Sequence, residues 1–176
     1  MDVPRLTTAR LVLRGFDARD VDAYAAMMAD PDVARYLGDG RPLARADAWR
    51  QLALVVGHWE LRGFGLWAVV ERATGTFLGR IGCYEPEGWP GLEVGYVLAR
   101  PAWGRGYATE GASAALRYAH EVLGRDRVVS LIQPENVASI RVAMRLGARP
   151  AGEAHIGGHA ALVYEYPPAT DGAHAR

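Results

Sequence analysis

At Gly63 the spacing of the apolar residues changes, and that change restricts the chain to a few architectures. Before it, the spacing is helical. Asp17 is placed to cap a helix, with Asp20 three residues on and Val21, Tyr24, Ala25 and Met28 along one face. Pro31 opens a short second helix through Leu37. Residues 43–61 form a third, carrying Trp49, Leu52, Val56 and Trp59 and ending at Gly63. After Gly63 the period becomes that of strands: 64–71, 76–84 and 92–99, with turns at Ala73-Thr74-Gly75 and Glu87-Gly88-Trp89-Pro90-Gly91. A helix (106–123), a strand (128–132), a helix (135–146) and two strands (149–155 and 160–166) follow. One earlier strand, 10–14, precedes the helices. An antiparallel meander running into β-α-β-α-β-β predicts an α/β (α+β) fold. Its centre is a mixed, mostly antiparallel sheet of about seven strands with helices on both faces. Residues 1–166 read as one domain, and residues 167–176, without periodic apolar positions, as a flexible C-terminal tail.

Composition removes several function classes. All 20 basic residues are arginine, so the lysine of a phosphate loop and the amine of a Schiff-base enzyme are both missing. Twenty acidic residues balance them, and a net charge of zero lacks the basic excess that nucleic-acid binding needs. No apolar run approaches the roughly 20 residues of a membrane span. The start, MDVPRLTTAR, does not read as a signal peptide, and the single Cys83 has no disulfide partner within the chain. A cytoplasmic protein, with neither nucleic acid nor membrane as partner, is the expectation.

The stretch from Glu93 to Glu110, EVGYVLARPAWGRGYATE, carries the most chemistry. A strand ends near Ala99, a Gly-rich turn follows, and a helix starts near Gly106. Gly104, Gly106 and the small Ala108 let a ligand approach the backbone. The first-turn N–H groups then meet it with the positive end of the helix dipole, which suits an anion such as a pyrophosphate. Arg100 and Arg105 can add charge at the edge. Two rivals stand beside this reading. A dinucleotide fingerprint requires glycine where Thr109 stands and an acidic residue at the end of the next strand, which instead ends in Leu131-Ile132-Gln133. A plain helix start packed by small residues is the other.

A second constellation is Pro134-Glu135-Asn136-Val137-Ala138-Ser139. The only asparagine in the chain sits at a strand-to-helix junction, with Ser139 on the same helix face. Either Asn136 simply starts the helix, or the pair serves a ligand.

Taken together, these stretches resemble the GNAT superfamily of N-acetyltransferases, in its RimJ/RimL-like branch. The resemblance runs from about residue 5 to 166. It rests on Leu6-Thr7-x-Ala9-Arg10-Leu11-x-Leu13-Arg14, Asp30-Pro31-x-Val33 with Tyr36-Leu37, and Glu93-x-Gly95-Tyr96. It continues through Trp103-Gly104-x-Gly106-Tyr107-Ala108-Thr109-Glu110 and Pro134-x-Asn136-x-x-Ser139 before Leu146-Gly147, all in order. The resemblance implies acetyl-CoA as donor; no metal is expected. It implies that the backbone of Val97, Leu98 and Ala99 pairs with the pantetheine arm in a gap beside the strand at Val128. Trp103, Gly104, Arg105, Gly106, Tyr107, Ala108 and Thr109 would hold the pyrophosphate. Asn136 would bond the pantetheine, Ser139 would lie near the sulfur, and Arg141 or Arg145 would meet the 3′-phosphate. The chain departs from the wider superfamily at Trp103, where Gln or Arg is usual outside the RimL-like branch, at Ala143, near which many relatives carry a tyrosine acid, and at Ala148, usually aromatic.

The implied reaction is direct attack of an amine on the thioester, with Glu93 as general base and a backbone N–H near Leu98 on the developing oxyanion. A leaving thiolate with a pKa of about 8.5 needs little help, so Ser139 or Tyr107 suffices as proton donor. The acceptor is a small-molecule amine or a peptide N-terminus, and the protein a monomer or homodimer. His58, Trp59, Phe64, Trp67, Cys83 and His155 are the candidates for the acceptor pocket. His155 and His159 flank Gly157-Gly158, which makes a turn rather than a metal-binding helix. A non-catalytic acyl-CoA sensor of the same fold is the alternative, and a nucleotide-binding module the more distant one.

Overall fold

The computed structural model describes residues 2–168. The tail expected at 167–176 therefore lies, from residue 169 on, outside the described residues. Among the described residues eight strands form one sheet, β1 (Leu6–Thr7), β2 (Leu11–Arg14), β3 (Leu66–Glu71), β4 (Phe77–Tyr84), β5 (Glu93–Leu98), β6 (Val129–Ile132), β7 (Arg149–Ile156) and β8 (His159–Glu165). Their order across the sheet is β1-β2-β3-β4-β5-β6-β8-β7, and only the β5–β6 pairing is parallel. The sheet has one strand more than the sequence suggested. The additional β1 is two residues long, too short to show a period, and it exists because Leu6 and Thr7 fold back onto Leu13 and Val12.

The helices are α1 (Val21–Met28), α2 (Pro31–Ala34), α3 (Arg45–Arg62), α4 (Tyr107–Glu121) and α5 (Val137–Arg145). The cap expected at Asp17 is present as a reciprocal box. The Asp17 carboxylate accepts from Arg19 N–H, and Asp20 accepts from Asp17 N–H, both at 2.9 Å. The first turn it opens, Ala18–Asp20, is 3-10 rather than α-helical. Buried Asp20 is also held by both Nη atoms of Arg14, at 2.7 and 2.8 Å, which compensates its burial. α3 ends as expected on left-handed Gly63, φ 76°.

Alternation along the strands sends side chains to two layers. Ile81, Cys83, Val94 and Leu98 face α4 and α5 in the main core, which also holds Trp59, Trp67 and Tyr118. Phe77, Val97 and Ala99 face a smaller cluster built from Tyr24, Met28, Val33 and Leu52 of α1–α3. α4 lies close to the sheet because Gly111 has no Cβ; one added there would come within 2.5 Å of Ile81 Cδ1.

Candidate active site

The one parallel pairing is where the sheet opens. β5 and β6 share a single register pair, Glu93 with Val129, and the Val129 N–H donates to Leu92 O at 2.9 Å. The next rung is supplied by a side chain: Ser130 Oγ donates to Val94 O at 2.6 Å and lies 2.8 Å from the Tyr166 hydroxyl. Beyond it the strands part around a cavity of about 610 Å³. The carbonyls of Leu92 and Val94 turn toward β6. Alternation puts the peptide groups of Tyr96 and Leu98 on that same edge. The cavity thus has a strand edge as one wall.

Register also decides what lies on each face of this opening. Tyr84 pairs with Glu93, Gly82 with Gly95 and Arg80 with Val97, so these side chains share the α1–α3 face. Gly95, which lines the cavity and has no side chain, leaves room between Arg80 and Glu93, whereas the space over Gly82 is filled by the backbone of Gly65 and Leu66. The Glu93 carboxylate accepts from Trp89 Nε1 at 2.8 Å. Burial pushes its pKa up to about 7, against the Trp89 and Leu131 N–H groups and the Arg80 cation, which pull it down. A carboxyl poised near neutrality in a cavity is suited to proton transfer at physiological pH. On the opposite face, the Tyr96 hydroxyl donates to Ser139 O at 2.8 Å, and burial raises its pKa far above the ordinary phenol value. Asn136 caps α5, its Oδ1 accepting from Ser139 N–H at 3.2 Å. Asn136 and Ser139 both line the cavity. The cavity therefore passes through the sheet, with Glu93 and Arg80 on one side and the start of α5 on the other.

The turn into α4 sits at the end of β5. A 3-10 turn, Arg100–Ala102, leads to Gly104 and Gly106, at φ 73° and 79°. Gly106 occupies the N-cap of α4, and among the described residues no side chain caps that end. The first-turn N–H groups thus end a 15-residue helix without an acceptor from a capping side chain, the arrangement that binds anions. Trp103 Nε1 donates to Leu98 O at 2.7 Å and ties the turn to β5, while Arg100 lies over its ring. Arg105 is drawn to Glu71 at 3.3 Å, and Arg10 bonds Arg105 O at 2.8 Å.

Residues 10–149 match the family model of the acetyltransferase (GNAT) domain. This chain belongs to the GNAT acetyltransferases. YkkB, an uncharacterised protein of Bacillus subtilis, is 34% identical over 151 residues, spanning 81% of this chain and 84% of its own. YnaD of the same organism, named as an N-acetyltransferase, is 29% identical over 84% of each chain. Among solved structures, an acetyltransferase from Agrobacterium tumefaciens superposes with a TM-score of 0.83 at 32% identity. It covers 94% of this chain and 95% of its own. The chain is an N-acetyltransferase, and GNAT enzymes use acetyl-CoA.

Within this GNAT fold the residues singled out from the sequence separate into three groups. Glu93, Val97, Asn136 and Ser139 line the cavity. Trp103 to Thr109 form the uncapped turn, with Leu98 and Ala99 leading into it. Tyr107, however, is buried in the core, and its hydroxyl donates to Glu71 Oε1 at 2.5 Å, away from the cavity lining. The six acceptor-pocket candidates lie elsewhere. Trp59, Phe64, Trp67 and Cys83 are core residues, each at most 5% exposed. Buried His58 is a brace: Nδ1 bonds Phe64 O at 2.8 Å, and Nε2 accepts the Glu85 N–H at 3.1 Å. His155 is exposed on β7, and it is its hairpin neighbour His159 that reaches the cavity. On the Glu93 side the lining instead comes from Tyr36, Gln51, Arg80, Tyr84 and Trp89. Arg80 was the detectable one, as the single charge inside an otherwise apolar strand.

Proposed function

We propose that this GNAT enzyme transfers the acetyl group of acetyl-CoA to a primary amine bound on the Glu93 side of the split. The observation that carries the proposal is the position of Glu93, at the rung where β5 and β6 part and with a carboxyl pKa pushed to about 7. The uncapped start of α4, with its two left-handed glycines, fits a pyrophosphate, and the open edge of β5 fits an extended amide chain. Acetyl-CoA supplies the activated acyl group. Val97, Leu98, Ala99, Trp103 to Ala108 and Thr109 are the residues proposed to hold it, with Asn136 and Ser139 beside its reactive end.

Glu93, ionised above about pH 7, accepts the proton that the amine loses on attack. The Leu98 peptide N–H, on the edge facing the cavity, stabilises the charge that develops on the acetyl oxygen. Ser139 is the proposed proton source for the departing thiolate; the Tyr107 hydroxyl, committed to Glu71, is not used. The aromatic and aliphatic cavity walls exclude water from the exchange. The test is release of free thiol from acetyl-CoA in the presence of a panel of primary amines. Wild-type protein is expected to release thiol only with an acceptor present. Glu93→Gln is expected to be slower by well over tenfold, and a smaller loss across pH 6–9 removes Glu93 from the base role.

A further inference from the structure

Resting on the acetyltransferase reading above, the cavity also carries a cation that the reaction does not use. Arg80 faces the cavity from β4, and among the described residues no carboxylate lies within ion-pair distance of it. It is nevertheless held in place. Arg80 Nη1 donates to the Tyr24 hydroxyl at 3.0 Å, and that hydroxyl donates to Gln51 Oε1 at 2.7 Å. Tyr24 is fully buried, so the chain is anchored in the α1–α3 layer. A hydroxyl carries one proton: having accepted from Arg80, it fixes the Gln51 oxygen toward itself and leaves the Gln51 amide N–H₂ as a donor. Two donor groups, one charged, thus stand on the acceptor side of the cavity.

We propose that Arg80 and Gln51 form a subsite for a carboxylate carried by the acceptor, so that the favoured substrate is a small amine that is also an acid. The amine is received at Glu93, the carboxylate at Arg80, and the space over Gly95 lies between them. Leu54, Leu66 and Tyr84 wall this space with apolar surface, which suits an aliphatic or aromatic body. A guanidinium offers a carboxylate two parallel N–H bonds, and a partly buried cation without a counter-ion gains most from one.

The test uses acceptor pairs that differ only in the carboxylate: phenylalanine against phenethylamine, and 6-aminohexanoate against pentylamine. Their kcat/KM values are read by thiol release. The acid of at least one pair is expected to be preferred at least tenfold, mainly through KM. In Arg80→Gln that preference is expected to fall to threefold or less, because the loss falls on the acids. Tyr24→Phe, which keeps the buried ring and removes only the hydroxyl, is expected to erode the preference part-way, and it decides the matter should Arg80→Gln not fold. Amines equal to or better than acids in wild type, or a preference that survives in Arg80→Gln and Tyr24→Phe, overturns the subsite. An Arg80 that acted only through the charge of Glu93 would shift the pH profile equally for both members of a pair and leave the ratio unchanged. If no acceptor turns over, N-acetylphenylalanine and N-acetylphenylalaninamide are compared as ligands of the CoA-loaded protein. The acid is then expected to raise the melting temperature more than the amide, and an equal shift overturns the subsite. Failure of CoA itself to raise the melting temperature sinks the acetyl-CoA reading instead.

Discussion

In the proposed mechanism Glu93 couples catalysis and stability through one proton. Its carboxyl pKa is raised from 4.5 to about 7 in the fold. The neutral form is therefore the one the fold favours; its contribution is complete below about pH 4.5 and is lost as pH rises through 7. With Glu93 as the proposed base, turnover runs the opposite way and is expected to rise through the same pH. Glu93→Gln is expected to be close to neutral for stability at pH 5 and stabilising at pH 8. A melting-temperature difference that does not grow between those two pH values contradicts this account. Cys83 is the residue-scale counterpart on the other face of the sheet. Burial pushes its thiol up to about 12. Ellman's reagent is expected to find no reactive thiol in the native protein at pH 8 and one after unfolding in guanidinium. The sequence left Cys83 and the aromatics around Gly63 as pocket candidates because residue type alone does not reveal which layer a strand position faces. His58 is similar: its two hydrogen bonds, to Phe64 O and from Glu85 N–H, link segments that only the fold brings together. His58→Ala is expected to cost about 2–4 kcal/mol in urea unfolding, from lost bonds and a vacated core volume.

At the scale of elements, the order and limits of helices and strands were legible because caps and periods are local. The box at Asp17 and the left-handed stop at Gly63 stand where the sequence put them, and the turn into α4 has its two glycines in left-handed geometry. The proposed acceptor side was not legible. Gln51 comes from α3, Arg80 from β4 and Trp89 from a loop, and they meet only through strand register and a helix docked across the sheet. That Gly95 fronts the cavity beside Arg80 is likewise invisible until β4 and β5 are aligned. A Cβ at Gly95 would lie 3.6 Å from Glu93 Oε1 and 3.9 Å from Leu66 Cδ2, ordinary contacts that leave the backbone undisturbed. Gly95→Val is thus expected to fold, to raise the acceptor KM by tenfold or more, and to leave the stabilisation by CoA intact. Gly106→Ala is its mirror on the donor side. At φ 79° an L-residue is strained by about 1 kcal/mol, and the shifted turn is expected to weaken CoA binding in calorimetry.

For the molecule as a whole, the split sheet divides the cavity into two sides, one for each proposed substrate. In the proposed reaction the donor side gathers at the starts of α4 and α5, and the acceptor side at α1–α3, with the parting of β5 and β6 as the meeting point. The one cysteine is sealed in the core, and lysine is absent, so the chain has neither thiol nor side-chain amine to carry an acetyl group between them. Initial-rate plots are therefore expected to intersect, as a ternary complex requires, and parallel lines would refute direct transfer. CoA is expected to compete with acetyl-CoA but not with the amine, and the acetylated product the reverse. This partition bears on how such a chain changes over time. Under that proposal, substitutions at Gln51, Arg80 or Tyr84 are expected to alter what is recognised on one side while the other keeps its donor. A lineage built on this sheet can exchange one customer for another without rebuilding its supply.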